Sequence, residues 1–184
     1  ETSVVLTQSQ FKKKLDQLSN IQSYIIETVQ QKTTEDQLTS VNNTKFFQNE
    51  IAYIIYTSGS TGIPKGVKCT HLGALNMIYA TIDQYPVLPN DRLLYLASCS
   101  FDIAIWEIFC PLLAGGILIV PEIRNLYSDV ANIVNYIKHK NITILHMVPS
   151  VLQYFIKCID KKNGATLRTI VSGGEGLTTK IAGK

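Results

Sequence analysis

A run of small and hydroxyl-bearing residues, YTSGSTGIPKGV from Tyr56 to Val67, has the composition of an anion-binding site. Thr57 to Gly62 offer side-chain hydroxyls and backbone N–H groups on a flexible chain, and Lys65 adds a positive charge directly behind them. Proteins bind phosphate groups with such clusters of donors. Most Ser/Gly clusters are polar turns, but the density of donors and the lysine favour a loop that binds a polyphosphate.

Two common phosphate-binding motifs do not fit this loop. A P-loop requires G-x-x-x-x-G-K-[ST], but here Pro64 precedes Lys65 and Gly66 follows it. Proline has no N–H to donate to a phosphate, and glycine has no hydroxyl to offer to Mg²⁺. The G-x-G-x-x-G pattern of dinucleotide-binding proteins is also missing where the preceding strand meets the loop. The loop therefore fits neither class.

The elements that must position this loop alternate between strands and helices. We predict strands at 4–7, 51–56, 66–69, 92–97, 117–120, 142–148 and 167–171, and helices at 9–18, 71–84, 101–113, 127–140 and from Pro149 onward. The apolar run at 51–55 predicts a buried strand, and the polar residues 30–49 predict a surface connection. Strands that alternate with long helices predict an α/β fold, a largely parallel sheet flanked by helices.

The composition argues against several classes of function. The net charge is only +3, and no basic cluster is interleaved with aromatic residues, so no nucleic-acid partner is expected. The sequence contains no apolar run of about 18 residues and no signal peptide, so we expect a cytoplasmic protein with no membrane partner. The four cysteines lack metal-ligand spacing, so we expect buried free thiols and no metal site.

The loop resembles the YTSG[ST]TGxPKG motif of adenylate-forming (AMP-binding) enzymes, which IAYIIYTSGSTGIPKGVKCTH matches without a gap. The segment SFDIAIWEIF at 100–109 resembles the FDxxxWE motif of nonribosomal peptide synthetase adenylation domains, and VSGGEGL at 171–177 resembles their GGE segment. The resemblance covers nearly the whole chain. It implies that residues 1–184 are an internal fragment of such a domain, from its large N-terminal subdomain.

The resemblance implies a ligase that activates an amino acid with ATP and Mg²⁺ as an aminoacyl adenylate. The aminoacyl group then passes to the phosphopantetheine thiol of a carrier protein, so carrier-protein and condensation domains are the expected partners. The expected phosphate contacts are Thr57, Ser58, Gly59, Ser60, Thr61, Gly62 and Lys65. The family's later motifs and its catalytic lysine do not occur here, so no catalytic residue is assigned and the fragment alone is expected to be inactive.

By the same resemblance, Asp102 pairs with the α-ammonium group of the amino acid. The alternative is that Asp102 only caps the helix that follows it. Trp106 lies one turn later, on the same side of that helix. The remaining expected substrate contacts are Ile103, His146, Val171 and Gly173. The combination resembles serine-activating domains, which implies a small polar substrate, although His146 could equally be a structural residue.

The segment Gly173, Gly174 and Glu175 is expected to approach the adenine and the acyl adenylate, because glycines let a flat base lie against the backbone. A plain turn after a strand is the competing interpretation. Two alternative functions share the loop: an acyl- or aryl-acid:CoA ligase, and a non-catalytic nucleotide-binding module. Asp102 argues against the first, because a substrate without an ammonium group would leave a buried carboxylate unpaired.

Overall fold

The computed structural model describes residues 4–18, 21–25, 47–59, 62–121, 129–160 and 162–177. The chain forms two compact units, Glu1–Phe46 and Phe47–Lys184. In the first unit, strands β1 (Val4–Thr7) and β2 (Gln22–Ile25) pair in parallel. The bounds predicted for β1 are confirmed. The sequence did not predict β2, because a strand of four residues with polar side chains, QSYI, gives too weak a periodic signal.

The connection between β1 and β2 is a short helical segment. A 3₁₀ turn at Ser9–Phe11 continues into α1 (Lys12–Leu15). The helix predicted at 9–18 is therefore present but shorter.

The second unit is built on a parallel sheet of four strands: β5 (Arg92–Leu94), β6 (Ile117–Ile119), β7 (Ile144–Met147) and β8 (Thr169–Ser172). Their order in the sheet is β6-β5-β7-β8. Three helices connect them in turn: α3 (Ile103–Leu113), α4 (Val130–Lys140) and α5 (Pro149–Cys158). Such crossovers are what parallel neighbours require, so the predicted α/β fold with a largely parallel sheet is confirmed.

The two faces of this sheet bury separate cores, because successive side chains of a strand point to opposite faces. Leu94, Leu145 and Met147 pack against α4 and α5, in a cluster that also contains Ile133, Ile137 and Phe155. Leu93 and Ile144 pack on the other face with residues of α3, in a cluster that contains Trp106 and Cys110. By the same alternation, His146 lies on the face of Ile144, beside α3.

The phosphate-loop candidate connects two antiparallel strands, β3 (Ile51–Thr57) and β4 (Lys65–Thr70). The prediction that this first strand is buried is wrong, since Ile51, Ile54 and Tyr56 are exposed. The reason is that β3 pairs with β4 in a two-stranded sheet, separate from the four-stranded one. An apolar run therefore predicted the strand but not its burial.

Local signals explain where the helices begin and end. Helix α2 (His71–Gln84) has the predicted bounds, and the Thr70 hydroxyl accepts a hydrogen bond from the Gly73 amide at its start. Pro149 occupies the first turn of α5, as predicted. Helix α4 begins after Asp129, which caps it; its predicted start, at 127 and 128, lies outside the described residues.

The predicted surface connection is described only in part. Residues 30–46 lie outside the described residues, and residues 47–49 form an exposed turn.

The cysteines are all free thiols, as predicted, but their predicted burial holds only in part. Cys110 is fully buried, and its burial raises the pKa of the thiol to about 12. Cys99 and Cys158 are exposed, so the expectation of burial is wrong for them.

None of the helices in the described ranges is long and apolar enough to cross a membrane.

Candidate functional site

A cavity of about 990 Å³ lies at the carboxyl ends of the parallel strands. This is the edge at which open α/β sheets bind ligands, because the loops that leave the strands surround a common cleft there. The cavity is lined by Tyr95, Leu96, Ala97, Ser98, Phe101, Asp102, Ile103, Val120, Pro121, His146, Val148, Val151, Gly173, Gly174 and Glu175. The cavity wall is therefore mainly apolar, with a few polar side chains to orient a ligand.

Asp102 stands at the start of α3 on the cavity wall. Its backbone is already helical, and within the described structure its side chain accepts no hydrogen bond that would cap the helix. The carboxylate is solvent-exposed. The capping interpretation of Asp102 thus finds no support in the geometry, and its negative charge faces the space where a ligand would bind.

Two tyrosine hydroxyls near this wall stay protonated at neutral pH. Burial raises the pKa of Tyr53 to about 12, and a hydrogen bond with Cys69 and the charges of Cys69 and Asp102 add to the rise. Burial also raises the pKa of Tyr95, with smaller effects of the charges of Cys99 and Glu107. Tyr95 therefore contributes a neutral hydroxyl to the cavity wall, and Tyr53 holds a second one near Asp102.

The predicted substrate residues divide between the cavity wall and the layer behind it. Ile103 and His146 line the cavity. Trp106 lies behind them with 2% of its surface exposed, and its ring meets the His146 ring edge to face at a centroid distance of 6.0 Å. Val171 pairs with His146 in the register of β7 and β8 and packs on the core beside α3. Trp106 and Val171 thus support the wall, and His146 forms part of it.

Glu107 is a residue of this site that the sequence analysis did not single out. It is completely buried, and its Oε2 atom accepts hydrogen bonds from the backbone amides of Leu96 and Ala97, both at 2.8 Å. Its other oxygen, Oε1, lies 3.2 Å from Nδ1 of His146. Strand β5 ends at Leu94 and not at the predicted 97, and the amides of Leu96 and Ala97 donate to Glu107 of α3.

A signal for Glu107 was present in the sequence. It is the only charged residue of the helix IAIWEIFCPLL. A charge on such an apolar helix is costly to bury unless it is paired and hydrogen-bonded. Its partners could not be read from the sequence, because they lie on a different strand.

The segment after β8 forms another part of the cavity wall. Gly173 and Gly174 both line the cavity, and Gly174 has a positive φ of 87° that favours glycine. The Glu175 carboxylate is held at the start of α5, where it accepts hydrogen bonds from the amide and the hydroxyl of Ser150, both at 2.9 Å. Glu175 therefore positions the segment, and the two glycines present backbone to the cavity.

The loop between β3 and β4 is shaped by two glycines. The Gly62 amide donates to the Gly59 carbonyl oxygen at 2.9 Å. A Cβ atom on Gly59 would lie 2.1 Å from the carbonyl oxygen of Ile63, so no larger residue fits there. Gly62 has a φ of +78°. Ser60 and Thr61 lie outside the described residues.

Of the residues predicted to contact phosphate, the structure describes Thr57, Ser58, Gly59, Gly62 and Lys65, and none of these lines the cavity. Lys65 is exposed at the start of β4. The structure thus brings the predicted amino-acid and adenine positions to one cavity, except that Trp106 and Val171 lie behind its wall. The loop lies on a separate hairpin of the same unit.

The chain is similar to known proteins in sequence and in structure. The family described as AMP-binding enzyme matches residues 1–184. Tyrocidine synthase 3 of Brevibacillus parabrevis is 30% identical over the whole chain, and tyrocidine synthase 2 of the same organism is 35% identical over 74% of it. The chain spans only 3% of the length of the first relative and 4% of the second.

Solved structures are also similar to this chain. Crystal structures of the nonribosomal peptide synthetase FmoA3 match 98% of it at 28% identity, with a TM-score of 0.80 for one form, and the chain covers 19% of that protein. The o-succinylbenzoate CoA synthetase MenE of Bacillus subtilis matches 97% of the chain with a TM-score of 0.77, and the chain covers 35% of MenE. At 19% identity, this second match shows the fold alone.

Proposed function

Because the chain belongs to the AMP-binding enzyme family, we propose that it provides the substrate pocket and phosphate loop of an enzyme that activates an amino acid with ATP. The observation that carries the proposal is the Asp102 carboxylate, which lines the cavity and is not used to cap its helix within the described structure. A carboxylate placed there can pair with the α-ammonium group of an amino acid through charge-assisted hydrogen bonds.

The proposed reaction joins two anions. A carboxylate oxygen of the amino acid attacks the α-phosphorus of ATP, the new O–P bond forms, and the bond to pyrophosphate breaks. Catalysis must therefore come mostly from positioning and from neutralising charge. The residues from Thr57 to Gly62, with Lys65, bind the β- and γ-phosphates, and each hydrogen bond to a charged oxygen contributes roughly 1.5–3 kcal/mol. A structure of FmoA3 in its AMPPNP-bound form supports the use of ATP.

Mg²⁺ enters this proposal as part of the ATP substrate. Within the described ranges, no three His, Cys, Asp or Glu side chains come together as a metal site. The metal ion neutralises phosphate charge when bound. The protein contributes the hydroxyl and backbone donors of the loop between β3 and β4, and the side chain of Lys65.

The substrate proposed for the pocket is a small amino acid with a hydroxyl group, of the serine class. Supporting this, His146 lines the cavity next to Gly173, where a polar ring meets a position without a side chain. An imidazole can hydrogen-bond a hydroxyl, and such pairing discriminates better than packing of one methylene, which is worth roughly 1–3 kcal/mol. FmoA3 has also been crystallised in an α-methyl-L-serine-AMP bound form.

The proposed fate of the product is transfer to a thiol. The phosphopantetheine sulfur of a carrier protein attacks the acyl carbon of the adenylate, a thioester forms and AMP leaves. Carrier-protein and condensation domains are then the partners, which fits the similarity to tyrocidine synthases and to a nonribosomal peptide synthetase. A cytoplasmic location would supply the ATP.

The proposal is tested by ATP–pyrophosphate exchange in the full natural protein that carries this sequence, with a panel of amino acids and simple carboxylic acids. Exchange driven by serine or a close analogue is the expected result. Exchange driven only by acids without an α-amino group would replace the proposal with an acyl- or aryl-acid:CoA ligase. A folded protein that binds ATP but exchanges with no acid would instead be a nucleotide-binding module.

A further inference from the structure

We infer that Glu107 is a positioning residue of the proposed amino-acid pocket, which ties the connection between β5 and α3 to helix α3. This connection, residues 95–102, is called the β5–α3 wall below. The inference deepens the proposed function, and its consequence for substrate binding rests on that function. Glu107 is not among the residues that line the cavity, so it acts through the wall and not by touching the substrate.

The first step concerns how much of the cavity depends on the β5–α3 wall. The wall supplies the largest share of the lining, namely Tyr95, Leu96, Ala97, Ser98, Phe101 and Asp102. Asp102, the proposed partner of the α-ammonium group, is the last residue of the wall, directly before α3. A shift of residues 95–98 relative to α3 therefore changes the shape of the space that Asp102 faces.

The second step is what holds the part of the wall that follows β5. The Tyr95 amide still donates to the carbonyl oxygen of Ile119 in the sheet, at 2.9 Å. In the described part of the chain, the next two amides, of Leu96 and Ala97, donate to no backbone carbonyl. Both donate instead to Oε2 of Glu107, at 2.8 Å. Because a half-buried N–H without an acceptor is costly, Glu107 fixes this part of the wall.

The third step is how firmly the carboxylate itself is held. None of the Glu107 side chain is exposed, and it shares the buried side of α3 with Trp106 and Cys110. A carboxylate enclosed in this way is costly unless it is hydrogen-bonded, which favours the arrangement with both amides bound. Close-packed interiors also transmit strain. The position of α3 is therefore passed to the wall through two hydrogen bonds on one oxygen.

Three variants of the full natural protein separate this role from a general contribution to the fold. Glu107→Leu keeps a similar volume but removes the acceptor for both amides. Glu107→Gln keeps the length of the side chain and one acceptor oxygen, so it is the conservative variant. Cys110→Ala is the matched control, because it loosens the packing on the same buried side of α3 without touching the hydrogen bonds to the wall.

The experiment is hydrogen–deuterium exchange, followed by mass spectrometry of peptides that cover the β5–α3 wall. In Glu107→Leu, the amides of Leu96 and Ala97 should exchange about 10–100-fold faster than in the wild type, the equivalent of a lost hydrogen bond to a charged group. Glu107→Gln should keep most of the protection, and Cys110→Ala should keep all of it. Peptides from the neighbouring strand β7 report whether the sheet stays folded in each variant.

The wild-type protein alone can contradict the inference. The amides of Ser98 and Cys99 have no acceptor within the described ranges, so they should exchange faster than those of Leu96 and Ala97. Equal rates at all four positions would mean that Glu107 does not hold the wall. Unchanged exchange in a folded Glu107→Leu protein, or the same acceleration in Cys110→Ala, would overturn the inference as well.

A second readout tests the consequence for substrates. In ATP–pyrophosphate exchange, Glu107→Leu should raise KM for the amino acid about 10–100-fold, the effect of a misplaced pocket wall. KM for ATP should stay within about twofold, because the proposed phosphate contacts lie on a separate hairpin. An equal rise of both KM values would make Glu107 a residue of the fold in general. If the two amides lose protection but no amino acid supports exchange in the wild type, the role of Glu107 in the wall stands and the proposed function fails.

Discussion

The two ends of the parallel sheet use aspartate in opposite ways. At the amino end, Asp91 is buried and fully engaged: it accepts hydrogen bonds from the Leu88 amide at 2.7 Å, from the Thr143 hydroxyl at 2.7 Å and from the Arg168 guanidinium. Arg168 also donates to the carbonyl oxygen of Pro86. All of these hydrogen-bond partners of Asp91 belong to the protein, so we call this the closed end of the sheet, and we call the end that borders the cavity the open end.

At the carboxyl end, Asp102 is exposed on the wall of a cavity and does not cap its own helix in the described structure. Without a capping hydrogen bond, this carboxylate contributes less to the stability of the fold than the buried carboxylate of Asp91 does. It is instead available to a ligand. The comparison teaches that the aspartate at one end of the sheet is held by the protein, while the aspartate at the other end faces a cavity, where we propose that it binds the substrate.

The largest loss of stability is expected from removing the charge of Asp91 at the closed end of the sheet. Asp91→Asn removes the charge that faces Arg168 and places an NH₂ group among three donors. Removing one partner of a buried pair costs about 3–5 kcal/mol, and the partial exposure of Arg168, 38%, reduces this to about 2–3 kcal/mol. Unfolding in urea, followed by Trp106 fluorescence, measures the loss. Asp83→Asn on the exposed side of α2 is the control, and a loss below about 0.5 kcal/mol in Asp91→Asn would contradict the assignment.

A smaller effect, of a different kind, is expected at the open end. Asp102→Ala should raise KM for the amino acid about 10–100-fold in the full natural protein, the equivalent of one charge-assisted hydrogen bond. The stability of this variant should fall by no more than roughly 0.5 kcal/mol, because only the helix dipole favours the charge at this position. Asp129 is the matched control, because it precedes α4 as Asp102 precedes α3 but accepts a capping bond from the Ala131 amide at 2.9 Å.

Asp129→Ala should therefore cost about 1 kcal/mol of stability and leave KM unchanged. If Asp102→Ala instead destabilised the chain as much as Asp129→Ala, then Asp102 would be a helix cap and not a binding group. Thermal unfolding and exchange kinetics on both variants distinguish these outcomes.

The sequence predicted the open end of the sheet better than its surroundings. Asp102, Ile103, His146, Gly173, Gly174 and Glu175 were expected at one site, and the structure brings them to one cavity. They follow strands or begin a helix, so the order of elements along the chain places them at the same edge. Their assignment to substrate and adenine stays a prediction.

Other features depend on contacts that a sequence does not display. The burial of Glu107 depends on amides ten and eleven residues earlier in the chain and on a nearby histidine in a strand. The exposure of Ile54 in β3 depends on which faces of a two-stranded sheet are covered, which an apolar run cannot show. The amino-end cluster was missed for the same reason, because Asp91 and Arg168 are far apart in the sequence.

The smallest predicted effect is the pH dependence of the closed end. Burial raises the pKa of Asp91, but the hydrogen bonds from Arg168, Leu88 and Thr143 and the charge of Arg168 outweigh it, so the pKa lies below the ordinary value of 3.8. The folded state therefore holds this proton less tightly than the unfolded state. The resulting stability is present above pH 3.8 and is lost as the pH falls toward the folded-state pKa.

The measurement is the difference in unfolding free energy between the wild-type chain and Asp91→Asn, since the contributions of other carboxylates cancel in it. We expect this difference to be constant from about pH 7 to pH 5 and to narrow below about pH 4, where the wild type loses its advantage. A difference that stayed the same throughout would mean that the ionised carboxylate of Asp91 adds nothing to the closed end beyond its shape.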